Sequence, residues 1–101
     1  MPPRTELQTL LESLIGLGKV YFQPPTGLQM VYPCIVYERN NANTQFADNI
    51  PYLYKKQYQI TVIDKDPDSL IPDKVAKLPG CIFNTHFKAD NMNHDVFTLY
   101  F

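Results

Sequence analysis

The chain has 101 residues, 45% hydrophobic and only 19% charged, and its nine basic and ten acidic side chains give a formal net charge of −1. That composition is too apolar for a disordered chain and lacks the basic excess that phosphate neutralisation requires, which argues against nucleic-acid binding. The length suits a single domain over residues 1–101, with one modest core and little room for a deep, enclosed active site.

In chain order, Thr5 to Leu17 predicts a helix. Leu7, Leu10, Leu11, Leu14 and Ile15 recur at the spacing of one apolar stripe. Thr5 with Gln8 has the form of a capping box, and Gly16 and Gly18 supply the stop. Met1 to Arg4 lead straight into this segment with no apolar signal-peptide region, and no stretch is long enough to span a bilayer. The product is therefore expected to stay in the cytoplasm of the cell that makes it.

Val20-Tyr21-Phe22 predicts a short strand, followed by a break at Gln23 to Gly27. Met30 to Arg39 predicts a second strand, rich in β-formers, whose Pro33 places that end at an edge or a bulge. Asn40 to Pro51 is rich in asparagine and predicts a long loop of the functional or mobile kind. Tyr52 to Asp64 gives the clearest strand. Tyr54, Lys56, Tyr58, Ile60 and Val62 share one face, and Lys55, Gln57, Gln59 and Thr61 share the other. That second, polar face is either solvated or paired with another subunit.

Asp66 to Ser69 turns the chain into a shorter helix starting near Pro72 and ending near Leu78, with Ile71, Val75 and Leu78 as its apolar side. Cys81 to Lys88 and His94 to Phe101 predict two final strands around a turn at Ala89 to Asn93. The order describes an α+β domain: a mostly antiparallel sheet with an N-terminal helix and a second short helix packed on one face. The expected core includes Leu10, Leu14, Tyr58, Ile60, Val62, Val75 and Phe97.

No reactive constellation stands out. Cys34 and Cys81 lie in apolar strand-like runs and read as buried free thiols, a disulfide requiring adjacent strands. His86 and His94, with Asp90 and Asp95, offer the materials of a metal or acid–base site, but their spacing is that of ordinary strands. The run Asp90 to Asp95 lacks the glycine and terminal glutamate of a calcium loop. The acidic run Asp64 to Asp68 reads as the approach to a helix N-terminus. No enzyme activity, cofactor or metal is expected.

Three segments taken together resemble a known family. They are Tyr32-Pro33-Cys34-Ile35-Val36-Tyr37-Glu38-Arg39, the run Tyr58 to Ser69 (YQITVIDKDPDS), and the run Asn91 to Phe101 (NMNHDVFTLYF). Their order and spacing, from about Leu7 onward, resemble the small tail-completion proteins of long-tailed bacteriophages and prophages, also called tail terminators or head–tail joining proteins. The resemblance implies a ring, usually hexameric, on the head-proximal end of the tail tube. Its neighbours would meet through sheet edges and long loops. Its partners would be further copies of itself, the major tail tube protein and the head-side connector or stopper, with DNA passing through the ring and no specific nucleic-acid or membrane binding. Its place would be the neck of the virion, after synthesis in the host bacterial cytoplasm. The family carries no catalytic residues.

By position, Phe46, Asp48, Asn49, Lys55, Gln57 and Gln59 are the candidates for partner contacts. The alternatives are the neighbouring head-side stopper and, in a different class, a small metal-dependent hydrolase using His86, His94 and Asp95.

Overall fold

The computed structural model describes the backbone of residues 4–47 and 50–101, and the side chains of residues 4–40 and 56–101. Seven elements follow in the order α1 (Arg4–Ile15), β1 (Val20–Phe22), β2 (Cys34–Ala47), β3 (Ile50–Asp64), α2 (Ile71–Ala76), β4 (Cys81–Ala89) and β5 (Met92–Tyr100). The strands form one sheet in the order β1-β2-β3-β5-β4. Only β1 and β2 run parallel; the other neighbours are antiparallel. The α+β arrangement inferred from the sequence is the observed one.

Side chains in a strand alternate between faces, and here the alternation sorts the core. Ile35 and Tyr37 of β2, Tyr58, Ile60 and Val62 of β3, and Phe97 and Leu99 of β5 lie on one face and are buried. They pack against Leu7 and Leu11 of α1 and Val75 of α2 in one cluster. The expected core residues Tyr58, Ile60, Val62, Val75 and Phe97 are all buried, whereas Leu10 and Leu14 are only half-buried and pack on the cluster's margin. The helix is rotated so that Leu7 and Leu11, one turn apart, point at the sheet centre.

Several boundaries differ from the sequence reading. Helix α1 ends at Ile15, and Leu17 lies beyond it, largely exposed to solvent. Thr5 sits inside the helix, so it is no N-cap, and Gln8 is used elsewhere: its amide donates to the carbonyl of Val20 and its side-chain oxygen accepts from the hydroxyl of Tyr37. Strand β2 begins at Cys34, so Pro33 lies outside it, after a cis Tyr32-Pro33 bond. Where they pair with β1, the strand's residues are not at an edge. Proline's missing N–H is accommodated by ending the ladder one residue later.

The largest correction concerns Asn40 to Pro51. Its described backbone is no loop but the continuation of β2 and β3, paired as Ala42↔Lys56, Asn43↔Lys55, Thr44↔Tyr54, Gln45↔Leu53, Phe46↔Pro51 and Ala47↔Ile50. The asparagines suggested a loop because their β-propensity is low, but cross-strand context outweighs that preference.

The final hairpin is tighter than expected. Asp90 and Asn91 alone form its turn, at φ 53° and 60°. Positive φ at both central residues defines the two-residue turn whose twist matches that of antiparallel strands, and Asp and Asn tolerate it best.

A candidate interaction surface

Besides the three-residue edge strand β1, two parts of the sheet lack a neighbouring strand among the described residues. The first is the far end of the β2/β3 hairpin. Strand β1 reaches only Tyr37, and β5 reaches only Gln57. Beyond those points β2 and β3 continue as a two-stranded arm, about 24 Å long past Gln57 at roughly 3.4 Å per residue. The arm accounts for the elongation of the molecule, 50 Å along one axis against 24 and 22 Å along the others.

The second is β4, the edge strand beside β5. All its residues except the terminal Cys81 and Ala89 are exposed, including Ile82, Phe83 and Phe87 at 55%, 54% and 45%. Edge strands in soluble proteins are commonly blunted by charges or proline. Here only Lys88, near one end, carries a formal charge, and a bulge between Phe83 and Thr85 is the single irregularity.

The sheet face away from the helices joins these two parts. Gln57 and Gln59 lie on it, half-buried, and the Gln57 amide donates to the Tyr100 hydroxyl at 2.9 Å. Gln59 stands opposite Thr98 in register, and Asn84 reaches the same threonine from β4, donating to its Oγ1 at 2.6 Å. The face is thus polar and uncharged at its centre. At its other end Cys34 and Ile63 are buried; there the Tyr21 hydroxyl accepts the Val31 N–H at 3.1 Å, which brings the connection after β1 against the sheet.

Of the sequence candidates, Gln57 and Gln59 are therefore on an accessible sheet face. Phe46 and Lys55 occupy strand positions in the arm, but their side chains lie outside the described residues, as do Asp48 and Asn49 entirely. The sequence reading did not single out β4. Its apolar residues were legible, but its edge position depends on strand order, which no local pattern encodes.

The residues that suggested chemistry are dispersed. His86 pairs with Asp95 on the helix side of the sheet, while His94 lies opposite Phe87 on the other face and stacks on its ring at 4.7 Å. The two imidazoles cannot share a ligand. His86 meets the side-chain oxygen of Asn93 at 3.3 Å, and His94 meets the carbonyl of Met92 at 3.1 Å. Among the described residues no three His, Cys, Asp or Glu side chains converge.

Cys34 and Cys81 are free thiols on strands separated by β3 and β5. Burial, with the Asp64 carboxylate adding to it, pushes the Cys34 thiol up to about 11. Burial also raises Cys81. The acidic run, just ahead of α2, builds local turns: Asp64 accepts from the Asp66 N–H and Asp66 from the Asp68 N–H, both at 2.9 Å. Such side-chain-to-backbone bonds mimic a turn. Among the described residues no helix is long and apolar enough to cross a membrane.

No protein-family model, no curated protein and no solved structure matches the chain.

Proposed function

We propose that this chain is a structural virion-assembly protein, a tail terminator that forms a closed ring, hexameric in the family it resembles, on the end of a phage tail tube. The reading rests on the three segments quoted above. The observation that supports it best is the two-stranded arm, because an isolated hairpin is marginal in water and gains stability when another subunit supplies neighbouring strands. A contact of that kind joins unlike surfaces on adjacent copies. Repeated with a constant rotation it closes into a ring.

In this mechanism geometry does the work. One rim of the ring matches the last layer of tube protein, and the other offers the head-side connector a surface on which no further tube subunit fits. DNA passes through the bore. The protein acts in the virion neck after synthesis in the host cytoplasm, without a cofactor and without catalysing a reaction.

Electron microscopy of lysates made without the gene tests the proposal. Abnormally long tails, detached from heads, are expected. Normal-length tails attached to full heads would rule the role out. Normal-length but unattached tails, with heads that leak, would assign the chain to the head-side stopper instead.

A further inference from the structure

We infer that two copies of this chain pair edge to edge through β4, antiparallel about a twofold axis that passes between Asn84 and Thr85. The inference stands on the geometry of β4 and is independent of the ring reading.

The bulge makes β4 symmetrical in a way that a regular strand is not. Register and contacts put Ile82 opposite Thr98, Thr85 opposite Val96 and Phe87 opposite His94, all on the face away from the helices. Asn84 reaches Thr98 and so belongs to that face too. Cys81, Phe83, His86 and Lys88 occupy the other face, opposite Leu99, Phe97, Asp95 and Asn93. Read from either end, the order of faces is the same about the midpoint of Asn84 and Thr85. An antiparallel copy placed on this axis brings Ile82 against Phe87, Phe83 against His86 and Cys81 against Lys88, each pair on a common face. Directly opposed residues must share a face. Without the bulge this register would set each residue against one of the opposite face.

The backbone agrees with the side chains. In a two-residue hairpin the pair flanking the turn exchanges hydrogen bonds and the next pair does not. From Ala89 and Met92 this leaves the N–H and C=O of Lys88 and His86 pointing away from β5. At the other end the Tyr100 N–H donates to the Gly80 carbonyl, which leaves Phe83 pointing outward. Phe83 and His86 are the pair the proposed register brings together, so each copy offers both groups that the other needs.

Charge does not oppose the contact. The two Lys88 ammonium groups would lie at opposite ends, about 23 Å apart at roughly 3.3 Å per residue, well beyond the ~8 Å screening length of physiological salt. The exposed apolar area of Ile82 and Phe87 is covered twice by one symmetric contact, the property of an isologous interface. Such a contact is small and belongs to the weak, reversible class.

The test compares the unmodified chain with His86→Ala, His86→Pro and Ile82→Lys by sedimentation velocity, from micromolar to submillimolar concentration. The alanine variant keeps the outward N–H, and the proline variant removes it. A concentration-dependent dimer is expected, little changed by alanine and weakened at least tenfold by proline. Ile82→Lys, on an exposed side chain, is expected to weaken it similarly with the melting temperature nearly unchanged, which keeps the test decisive if the proline variant folds poorly. Register is read by mixing Phe83→Cys with His86→Cys chains under oxidation. The mixture should form the cross-linked dimer, and neither variant alone should do so at comparable yield. A monomer at every concentration overturns the pairing. So does a dimer indifferent to Ile82→Lys, or equal cross-linking by the single variants.

Discussion

Gln8 accepts the hydroxyl proton of Tyr37, 29 residues further along the chain, and so ties the first helix to the second strand. The same hydroxyl accepts from Arg4 at 3.0 Å, and the Arg4 guanidinium lies over the Phe22 ring at 4.3 Å from its centroid. Tyr37 is fully buried, so its oxygen needs these partners, and the desolvation raises its pKa. Tyr37→Phe keeps the ring and removes the oxygen. It should cost about 1–2 kcal/mol in urea unfolding. Gln8→Ala should cost as much or more, because the hydroxyl is then left with one partner fewer; a variant indistinguishable from the parent would mean the contact carries no net stability.

The two glycines flanking the helices separate strain from crowding. Gly18 and Gly80 have nearly the same backbone angle, φ 79° and 77°, but an added Cβ would meet nothing within 4 Å at Gly18 and would lie 2.8 Å from the Tyr100 carbonyl at Gly80. Gly18→Ala should cost about 1–2 kcal/mol for the left-handed conformation alone. Gly80→Ala should exceed it by about 1 kcal/mol or more, since backbone must move. Equal midpoints for the two variants would contradict this packing.

Core truncation should rank by depth. Leu11 is fully buried and Leu14 is half-buried at the margin. Leu11→Ala is expected to cost about 2–5 kcal/mol and Leu14→Ala clearly less. The reverse order would mean that α1 is rotated about its axis relative to the sheet.

Much of this arrangement was legible in the sequence, and the exceptions share a cause. The alternation through Tyr58, Ile60 and Val62 set both the strand and its buried face, because a period of two needs no distant information. A turn within Ala89 to Asn93 was legible from its Asp and Asn content, though not its narrowing to Asp90 and Asn91. Gln57 and Gln59 could be assigned to the accessible face by simple complement. What escaped were features fixed by partners far away in the chain. The asparagine-rich arm is strand only because each side pairs with the other. Thr5 and Gln8 have cap-like spacing, but Gln8 is drawn to Tyr37. The exposure of Phe83 and Phe87 follows from β4 lying outermost, and β4 lies outermost because β5 takes the inner place beside β3.

Alkaline pH provides a further check. The Cys34 thiol is held neutral in the folded chain, with its pKa raised from an ordinary 9.0 to about 11. A group raised on folding contributes stability below its unfolded pKa and loses it as pH climbs through the folded value. The parent should therefore lose stability between pH 9 and 11 more steeply than Cys34→Ala does. Cys34 should also resist iodoacetamide in the native protein and react after denaturation. Rapid native alkylation of Cys34 would contradict its burial.

The arm can be removed without breaking the rest of the sheet. Past Tyr37 and Gln57 its two sides pair with each other and with no other strand. Replacing the stretch between Asn41 and Lys56 with an Asn-Gly turn should leave a cooperatively melting domain that, on the proposed terminator role, does not cap tail tubes. Tubes capped as well by the shortened chain would remove the arm from the mechanism.

The central position of β5 also affects how the chain is made. Strand β5 is synthesised after the other four strands, yet it sits between β3 and β4 and supplies Phe97 and Leu99 to the core. On the ribosome, β3 has no inner neighbour until Leu99 has cleared the exit tunnel, and β4 has nothing to pair with. The β2/β3 hairpin and α1 can gather earlier, since local contacts form first, but the nascent chain holds an open sheet edge until β5 emerges. Emergence of β5 is therefore the event that closes the sheet, and a slow stretch of translation just before it would prolong the aggregation-exposed state.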